Sequence, residues 1–448
     1  MDVLDRIFKA YDIRGRVDTG DLTADVARAV GAGFAGIIDE TTVAVGRDCR
    51  ASSPALADGF IDGLRTAGKD VIDVGEVSTD VIYFVAGARS VAGAMVTASH
   101  NPPEYNGIKL CRSGAVPVGE ESGLLEIKAT VASGGTPDAR DMGDLAFEDV
   151  RDAYADHLCS IVDPGRIPAL TVALDGGNGM AGAVLPHLLD RLPLSTLDLY
   201  LEPDGTFPNH PANPIDPANL VEVQAMVIDG GADLGVAFDG DADRAFFIDD
   251  EGRPLSGSTT TALIARWFLG RHPGAAIVHN LITSKAVPEV VSAAGGTPVR
   301  TRVGHSFIKE VMADTRAVFG GEHSGHYYFR DNFRADSGLL AMLVLLRVLG
   351  EDGRPLSEIR TDVEPYAQSG EINLDVEDKE AAMERVVRHF PDAGIDRLDG
   401  VTIDLGDRWL NLRPSNTEPV LRLNVEAPDE AAVDALTGEV RGVLGGAA

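Results

Sequence analysis

The segment LGVAFDGDADR, Leu234–Arg244, runs five apolar or small residues straight into a turn that places Asp239, Asp241 and Asp243 within five positions. An unbroken apolar run of this length reads as a strand buried on both faces, the kind found in parallel α/β sheets. The switch to acid marks where it leaves the core. The same event occurs at GAMVTASHNP from Gly93 and at AVFGGEHSGH from Ala317. Upstream of each lie two further apolar strands separated by helix-like segments. The first strands are Thr42–Gly46, Leu170–Asp175 and Ala275–His279; the second are Val71–Val74, Thr196–Tyr200 and Val299–Val303. A threefold repeat of strand, helix and strand predicts three related α/β domains with mixed, mainly parallel sheets, and ligands gather at the carboxyl ends of such strands.

After about residue 365 the pattern changes to alternating strands, Val401–Leu405 and Leu421–Val425, around the loop RPSNTEP from Arg413. This predicts a smaller α+β domain. The expected segments are 1–150, 151–253, 254–365 and 366–448.

Composition narrows the function. A formal charge of −31 argues against a nucleic-acid partner, because binding a duplex needs a basic surface to displace counterions. An anionic small substrate stays open if lysine, arginine or a metal reverses the field in a cleft. The acid excess is spread along the chain, as on a solvated, self-repelling surface. No apolar run approaches the roughly 18 residues of a spanning helix, and the opening Met1-Asp2-Val3-Leu4-Asp5 lacks the basic and apolar regions of a signal peptide. A cytoplasmic protein with no membrane partner is expected. Cys49, Cys111 and Cys159 have no CxxC spacing and read as reduced thiols.

The three aspartates, spaced two apart, point to one side of an extended backbone. They must either share a proton or hold a hard cation. A calcium EF-hand loop fails, since its sixth position is Arg244 and its twelfth Asp250. Magnesium with phosphate suits the set, because Arg244 can grip phosphoryl oxygens beside the metal. Arg413, Ser415, Asn416 and Thr417 are donors suited to phosphate, although Ser-Asn-Thr is also a common turn cap. Glu322, His323, Ser324, Gly325 and His326 suit a polyol; the helix-breaking glycine and the missing HExxH frame argue against zinc. Ser99 and His100 stand where a strand stops, ahead of Pro102 and Pro103. A serine hydrolase is disfavoured, because no G-x-S-x-G elbow is present.

Together FKAYDIRG from Phe8, Gly46-Arg47-Asp48, TASHNPPEYNGIK from Thr97, DGDADR, Gly304-His305-Ser306, GEHSGH and RPSNTEPVLR resemble the α-D-phosphohexomutase superfamily, in its bacterial phosphomannomutase/phosphoglucomutase branch. The resemblance spans nearly the whole chain in order. It implies a fourth domain like the TATA-binding-protein fold and one central cleft. It also implies a phosphoserine at Ser99, with Asp239, Asp241, Asp243 and a phosphoserine oxygen on one Mg²⁺. Arg14, His100 and Lys109 would attend the reacting hydroxyl, with the general base unassigned. Arg413, Ser415, Asn416 and Thr417 would hold the non-reacting phosphate. Glu322 and Ser324 would read sugar hydroxyls, and Tyr11, Lys285, His305 and His326 match contact positions. The implied substrate is a hexose phosphate, mannose or glucose, turned over through a hexose 1,6-bisphosphate that is also the activator, by a monomer or weak homodimer.

Two departures stand out. Val77-Ser78-Thr79-Asp80 replaces the proline-threonine-proline turn of many relatives, a change expected to cost rigidity and no chemistry. His323 stands where many dual-specificity members have methionine, which leaves the sugar preference open. A phosphoglucosamine mutase is one alternative; the FKAYDIRG opening argues against it. A phosphatase using Asp239 as nucleophile is another.

Overall fold

The apolar runs are strands, and their order repeats. In this computed structural model, which describes residues 3–134, 141–415 and 420–445 without the side chain of His305, the chain divides into two compact units. One contains Met1–Ser256 and Ser324–Ser357; the other contains Gly257–His323 and Glu358–Ala448.

In the first unit, Thr42–Arg47 is central and parallel to both Asp70–Glu76 and Ala92–Val96. Tyr105–Arg112 then pairs antiparallel with Ala92–Val96, and Ile13–Arg16 pairs antiparallel with Tyr105–Arg112. The second sheet copies this plan. Leu170–Asp175 lies between Leu194–Leu199 and Leu234–Phe238, all parallel, and Ala245–Ile248 returns antiparallel along Leu234–Phe238. The crossover geometry puts the carboxyl ends of Ala92–Val96 and Leu234–Phe238, where the serine and aspartate loops begin, at the ligand-facing edge of their sheets.

A short hairpin, Tyr327–Phe329 with Ala335–Asp336, leads into the helix Gly338–Asp352. That helix is apolar on every face and buried from Gly338 to Leu349, so it is an internal strut and not a surface helix. Its N-cap, Ser337, accepts the Leu340 N–H at 3.0 Å. Its one buried cation, Arg347, donates to the carbonyls of Val162 (2.6 Å) and Asp163 (3.2 Å). It thereby satisfies carbonyls at the C-terminal end of the helix Arg151–Val162.

In the second unit Ala276–Asn280 is parallel to Thr297–Thr301 and to Phe319–Gly321, the same central placement for a third time. The C-terminal sheet is wholly antiparallel, in the order Ala367–Leu374, Leu421–Ala427, Trp409–Pro414, Val401–Asp404, Gly394–Asp396. The helices Lys379–His389 and Glu430–Leu444 contribute Ala382, Val386, Val433, Leu436 and Val440 to its core. The α/β class and the α+β C-terminal part agree with the sequence reading. Among the described residues no helix is long and apolar enough to cross a membrane.

Candidate active site

Ser99 lies just beyond Ala92–Val96 with a left-handed backbone, φ 52°. Such a conformation costs a non-glycine residue about 1–3 kcal/mol and persists only where surrounding contacts impose it. Thr97 Oγ1 accepts the Ser99 N–H at 2.9 Å, and the Asn101 N–H bonds Ala98 O at 3.0 Å. In this posture Ser99 Oγ donates to Asp239 Oδ2 at 2.7 Å, across 140 residues of sequence. The close approach requires Gly240. A Cβ there would lie 2.4 Å from Ser99 O.

The aspartate turn is fully enclosed. Arg244 bonds back to Asp239, from its N–H to Oδ1 (3.2 Å) and from Nε to Oδ2 (2.8 Å), and its Nη2 donates to Ser99 Oγ at 3.2 Å. The same Nη2 donates to His100 Nδ1. Burial, reinforced by Arg244 and Arg14, drives the His100 pKa well below its ordinary value, so the ring is neutral and serves as acceptor. Lys109, on Tyr105–Arg112, bridges Asp241 Oδ2 (2.7 Å) and Asp243 Oδ2 (2.6 Å). Burial opposes its charge, yet the two carboxylates hold its pKa well above the ordinary value. Burial, with Asp243 and Asp241 nearby, pushes Asp239 up to about 7 against the pull of Arg244. Burial acts on Asp241 in the same sense, but Lys109 and Thr79 outweigh it and hold that carboxyl low.

Two oxygens carry the metal question. Asp241 Oδ1 and Asp243 Oδ1 are buried and lack hydrogen-bond partners. Each of the three carboxylates offers an oxygen within 4.8 Å of the others. Buried carboxylate oxygens without hydrogen bonds are costly, and three hard oxygen donors this close together suit a small divalent cation. The residues therefore fit a metal. His326 approaches from another side, its Nδ1 2.8 Å from Asp336 Oδ2 and 3.7 Å from Asp243 Oδ1. Arg14 reaches the serine turn through Nη1 to Asn101 Oδ1, 2.6 Å.

The Ser78-Thr79-Asp80 segment does more than replace a rigid turn. Thr79 Oγ1 donates to Asp241 Oδ2 at 2.6 Å, and the Thr79 N–H bonds Asp241 O at 3.0 Å. Asp80 is fully buried and accepts from Ser78 Oγ, Tyr154 OH (2.6 Å) and Ser337 Oγ (2.7 Å). Burial pushes it up to about 6. The exchange keeps the central threonine of the proline-threonine-proline turn, and it is that threonine that grips an aspartate of the cluster.

A second set of predicted residues meets within the other unit. Asn280 Nδ2 donates to Glu322 Oε1 and lies 3.1 Å from His323 Nδ1, while the Gly304 N–H reaches Glu322 Oε1 at 3.3 Å. Glu371 Oε2 accepts from Arg413 Nη2 at 3.1 Å and lies 3.8 Å from His323 Nε2. Burial opposes ionisation of Glu371, but His323, Arg422 and Arg413 hold its pKa below the ordinary value. The Ser415 N–H bonds Val420 O at 3.0 Å. Lys285 is engaged elsewhere: its Nζ bonds Asp404 Oδ1 (2.8 Å) and Gly406 O (2.9 Å) beside a cavity of about 390 Å³. Tyr11 lies in the bend before Ile13–Arg16, and Ser324 and Gly325 lie in the turn before Tyr327–Phe329. Asn416, Thr417 and the His305 side chain fall outside the described residues.

Four family models match in order. They are phosphoglucomutase/phosphomannomutase alpha/beta/alpha domain I at residues 5–137, domain II at 152–252, domain III at 256–366 and the C-terminal domain at 371–443. A Xanthomonas campestris protein described as phosphohexose mutases is 41% identical over 448 residues, covering 98% of this chain and 99% of its own. The chain belongs to the phosphoglucomutase/phosphomannomutase family. It is an enzyme of the isomerase class that transfers a phosphoryl group. A phosphomannomutase from Salmonella montevideo is 40% identical, with 98% of both chains covered. A phosphoglucomutase/phosphomannomutase family protein from Burkholderia thailandensis has a solved structure that superposes with a TM-score of 0.89 at 32% identity, covering 99% of this chain and 97% of that one.

Sequence reasoning gave no site role to Thr79, Asp80, Asn280 or Glu371. None belongs to a local cluster of reactive groups; each acquires its role from a partner 42 to 257 residues away.

Proposed function

We propose that the enzyme interconverts hexose 1-phosphate and hexose 6-phosphate, with mannose or glucose as the sugar, through a phosphoryl group carried on Ser99 and a hexose 1,6-bisphosphate intermediate. The observation that carries this reading is the Ser99 hydroxyl, held in a left-handed turn 2.7 Å from Asp239 inside a ring of three aspartates with two unpartnered oxygens.

Phosphoryl transfer depends mainly on positioned oxygens and on neutralising charge. Lys109 and Arg244 offset two of the three carboxylates, and a phosphoryl group on Ser99 adds about two further negative charges. Asp239, Asp241 and Asp243 would hold Mg²⁺ together with a phosphoserine oxygen. When bound, that ion supplies the missing positive charge. The protein's own groups do the rest. Arg244 Nη2 faces the Ser99 oxygen that gains charge as its phosphoryl group departs, and neutral His100 orients that guanidinium. In the dephosphorylated enzyme Asp239 Oδ2 receives the Ser99 hydroxyl hydrogen bond. In this reading Glu322 and Ser324 recognise sugar hydroxyls, and Arg413 with Ser415, Asn416 and Thr417 holds the phosphate that does not react. Tyr11, Lys285, His305 and His326 are the remaining proposed contacts.

The test is kcat/KM for mannose 1-phosphate, glucose 1-phosphate and glucosamine 1-phosphate, with Mg²⁺ and catalytic glucose 1,6-bisphosphate. Turnover is expected with the first two. Preference for the glucosamine sugar would select the alternative mutase, and turnover of none would refute the proposal.

One prediction follows from the Thr79 contact. Thr79→Val keeps the shape and removes the donor to Asp241, and losing such an outer partner costs about 10–100-fold in metal affinity. Calorimetric titration with Mg²⁺ is expected to show that weakening, with Thr79→Ser restoring it. Equal affinities in all three proteins would remove Thr79 from the site.

A further inference from the structure

Arg50 lies in the loop after Thr42–Arg47 and is 1% exposed. Its five N–H groups are all used. Nε donates to Asp48 Oδ2 at 3.0 Å, the carboxylate two residues before it. The other four donate to backbone carbonyls of one seven-residue stretch: Nη2 to Ser99 O (2.8 Å) and Asn101 O (2.6 Å), Nη1 to Pro102 O (2.7 Å) and Tyr105 O (3.2 Å). The Phe207 ring lies over the guanidinium at 4.9 Å.

The turn needs such a partner. Pro102 and Pro103 contribute no N–H, so the stretch from Ser99 to Tyr105 has more acceptors than donors of its own. The deficit is least open to water at Ser99, whose carbonyl is buried. A planar fork of five donors meets it from one side chain, and the flexible, three-donor lysine ammonium does not match that geometry. The position also matters. With its carbonyl drawn to Arg50, Ser99 is fixed in its left-handed conformation with Oγ on Asp239.

We infer that Arg50 is a positioning residue for the phosphoryl-carrying serine: it gathers the carbonyls of the 99–105 turn and so aims Ser99 Oγ at the aspartate cluster, without touching substrate. This rests on the reading of Ser99 as the phosphoryl carrier. A general core arginine would bind carbonyls scattered over the chain; apart from Asp48, every acceptor of Arg50 lies in the seven residues from Ser99 to Tyr105, between the serine and the start of the strand Tyr105–Arg112.

The experiment compares full-length wild type, Arg50→Lys and Phe207→Leu. It measures steady-state turnover of glucose 1-phosphate, the mass increment of Ser99 phosphorylation by glucose 1,6-bisphosphate, amide exchange across 99–105 and thermal melting. Misplacing reacting atoms by about an ångström costs about 100-fold in rate, so Arg50→Lys is expected to lower kcat and Ser99 phosphorylation by about that factor with KM within about twofold. Exchange across 99–105 accelerates in the same variant. Phe207→Leu, which leaves all five donors in place but uncovers the guanidinium, gives a smaller loss of kcat of the same kind. Wild-type kcat in Arg50→Lys, or a fall expressed in KM alone, overturns the inference. If Arg50→Lys does not fold, Phe207→Leu decides: reduced kcat at unchanged KM supports the inference, and unchanged kcat overturns it. A wild-type enzyme that neither turns over hexose phosphates nor takes phosphate at Ser99 is a different result; it brings down the reading of the serine and the inference with it.

Discussion

Ser99→Ala is expected to abolish phosphate incorporation at position 99 and to lower kcat/KM for hexose 1-phosphates by about 10⁴-fold or more, the scale seen when a covalent carrier is deleted. The loss belongs to chemistry and not to folding. Only an oxygen is removed, and Asp239 keeps its bonds from the Arg244 side chain and N–H. Thermal melting should therefore stay close to wild type while the mass increment disappears. The variant also separates the mutase from a phosphatase built on Asp239, which would keep its activity without the serine hydroxyl. Retained turnover in Ser99→Ala would refute the carrier role outright.

Gly240→Ala is expected to be the next most damaging single change, by a different route. The new methyl carbon would stand 2.4 Å from Ser99 O and 3.2 Å from Ser99 C. Its neighbour is backbone, held from the other side by Arg50, so no side-chain rotation relieves the clash. Either the serine turn or the aspartate turn must move. Overpacking of this kind costs about 1–3 kcal/mol in stability, and a displacement of about an ångström between reacting groups costs about 100-fold in kcat. A useful control is Gly36→Ala, where an added methyl meets nothing within 4 Å and the helix should gain about 0.5–1 kcal/mol. Full activity in Gly240→Ala would show that the contact between the two turns is dispensable.

The threefold sheet plan was legible in the sequence because its signals are local. An apolar run of five, a polar turn and an amphipathic stretch declare themselves within a short window, and Leu170–Asp175 was read to the residue. The serine and the three aspartates were legible for the same reason, each being a dense cluster of reactive groups. Arg50 shows where such reading stops. The motif Gly46-Arg47-Asp48 ended two residues short of the arginine on which the serine turn depends, because its acceptors lie about 50 residues downstream. Asp80 was hidden more deeply. A carboxylate in a helix's first turn reads as ordinary dipole complementarity, and only the fold reveals Tyr154 and Ser337 against it.

The Asp80 carboxylate also imposes an order on biosynthesis. A nascent chain that has emerged as far as residue 256 already contains Ser99, Lys109 and the three aspartates, yet Ser337 and the strut helix Gly338–Asp352 are still to come. Until then a buried acid lacks one of its three donors, and the segment that grips Asp241 through Thr79 has lost an anchor. That anchor therefore waits on translation of some eighty further residues, and a fragment ending at residue 256 lacks the Ser337 hydroxyl that Asp80 accepts.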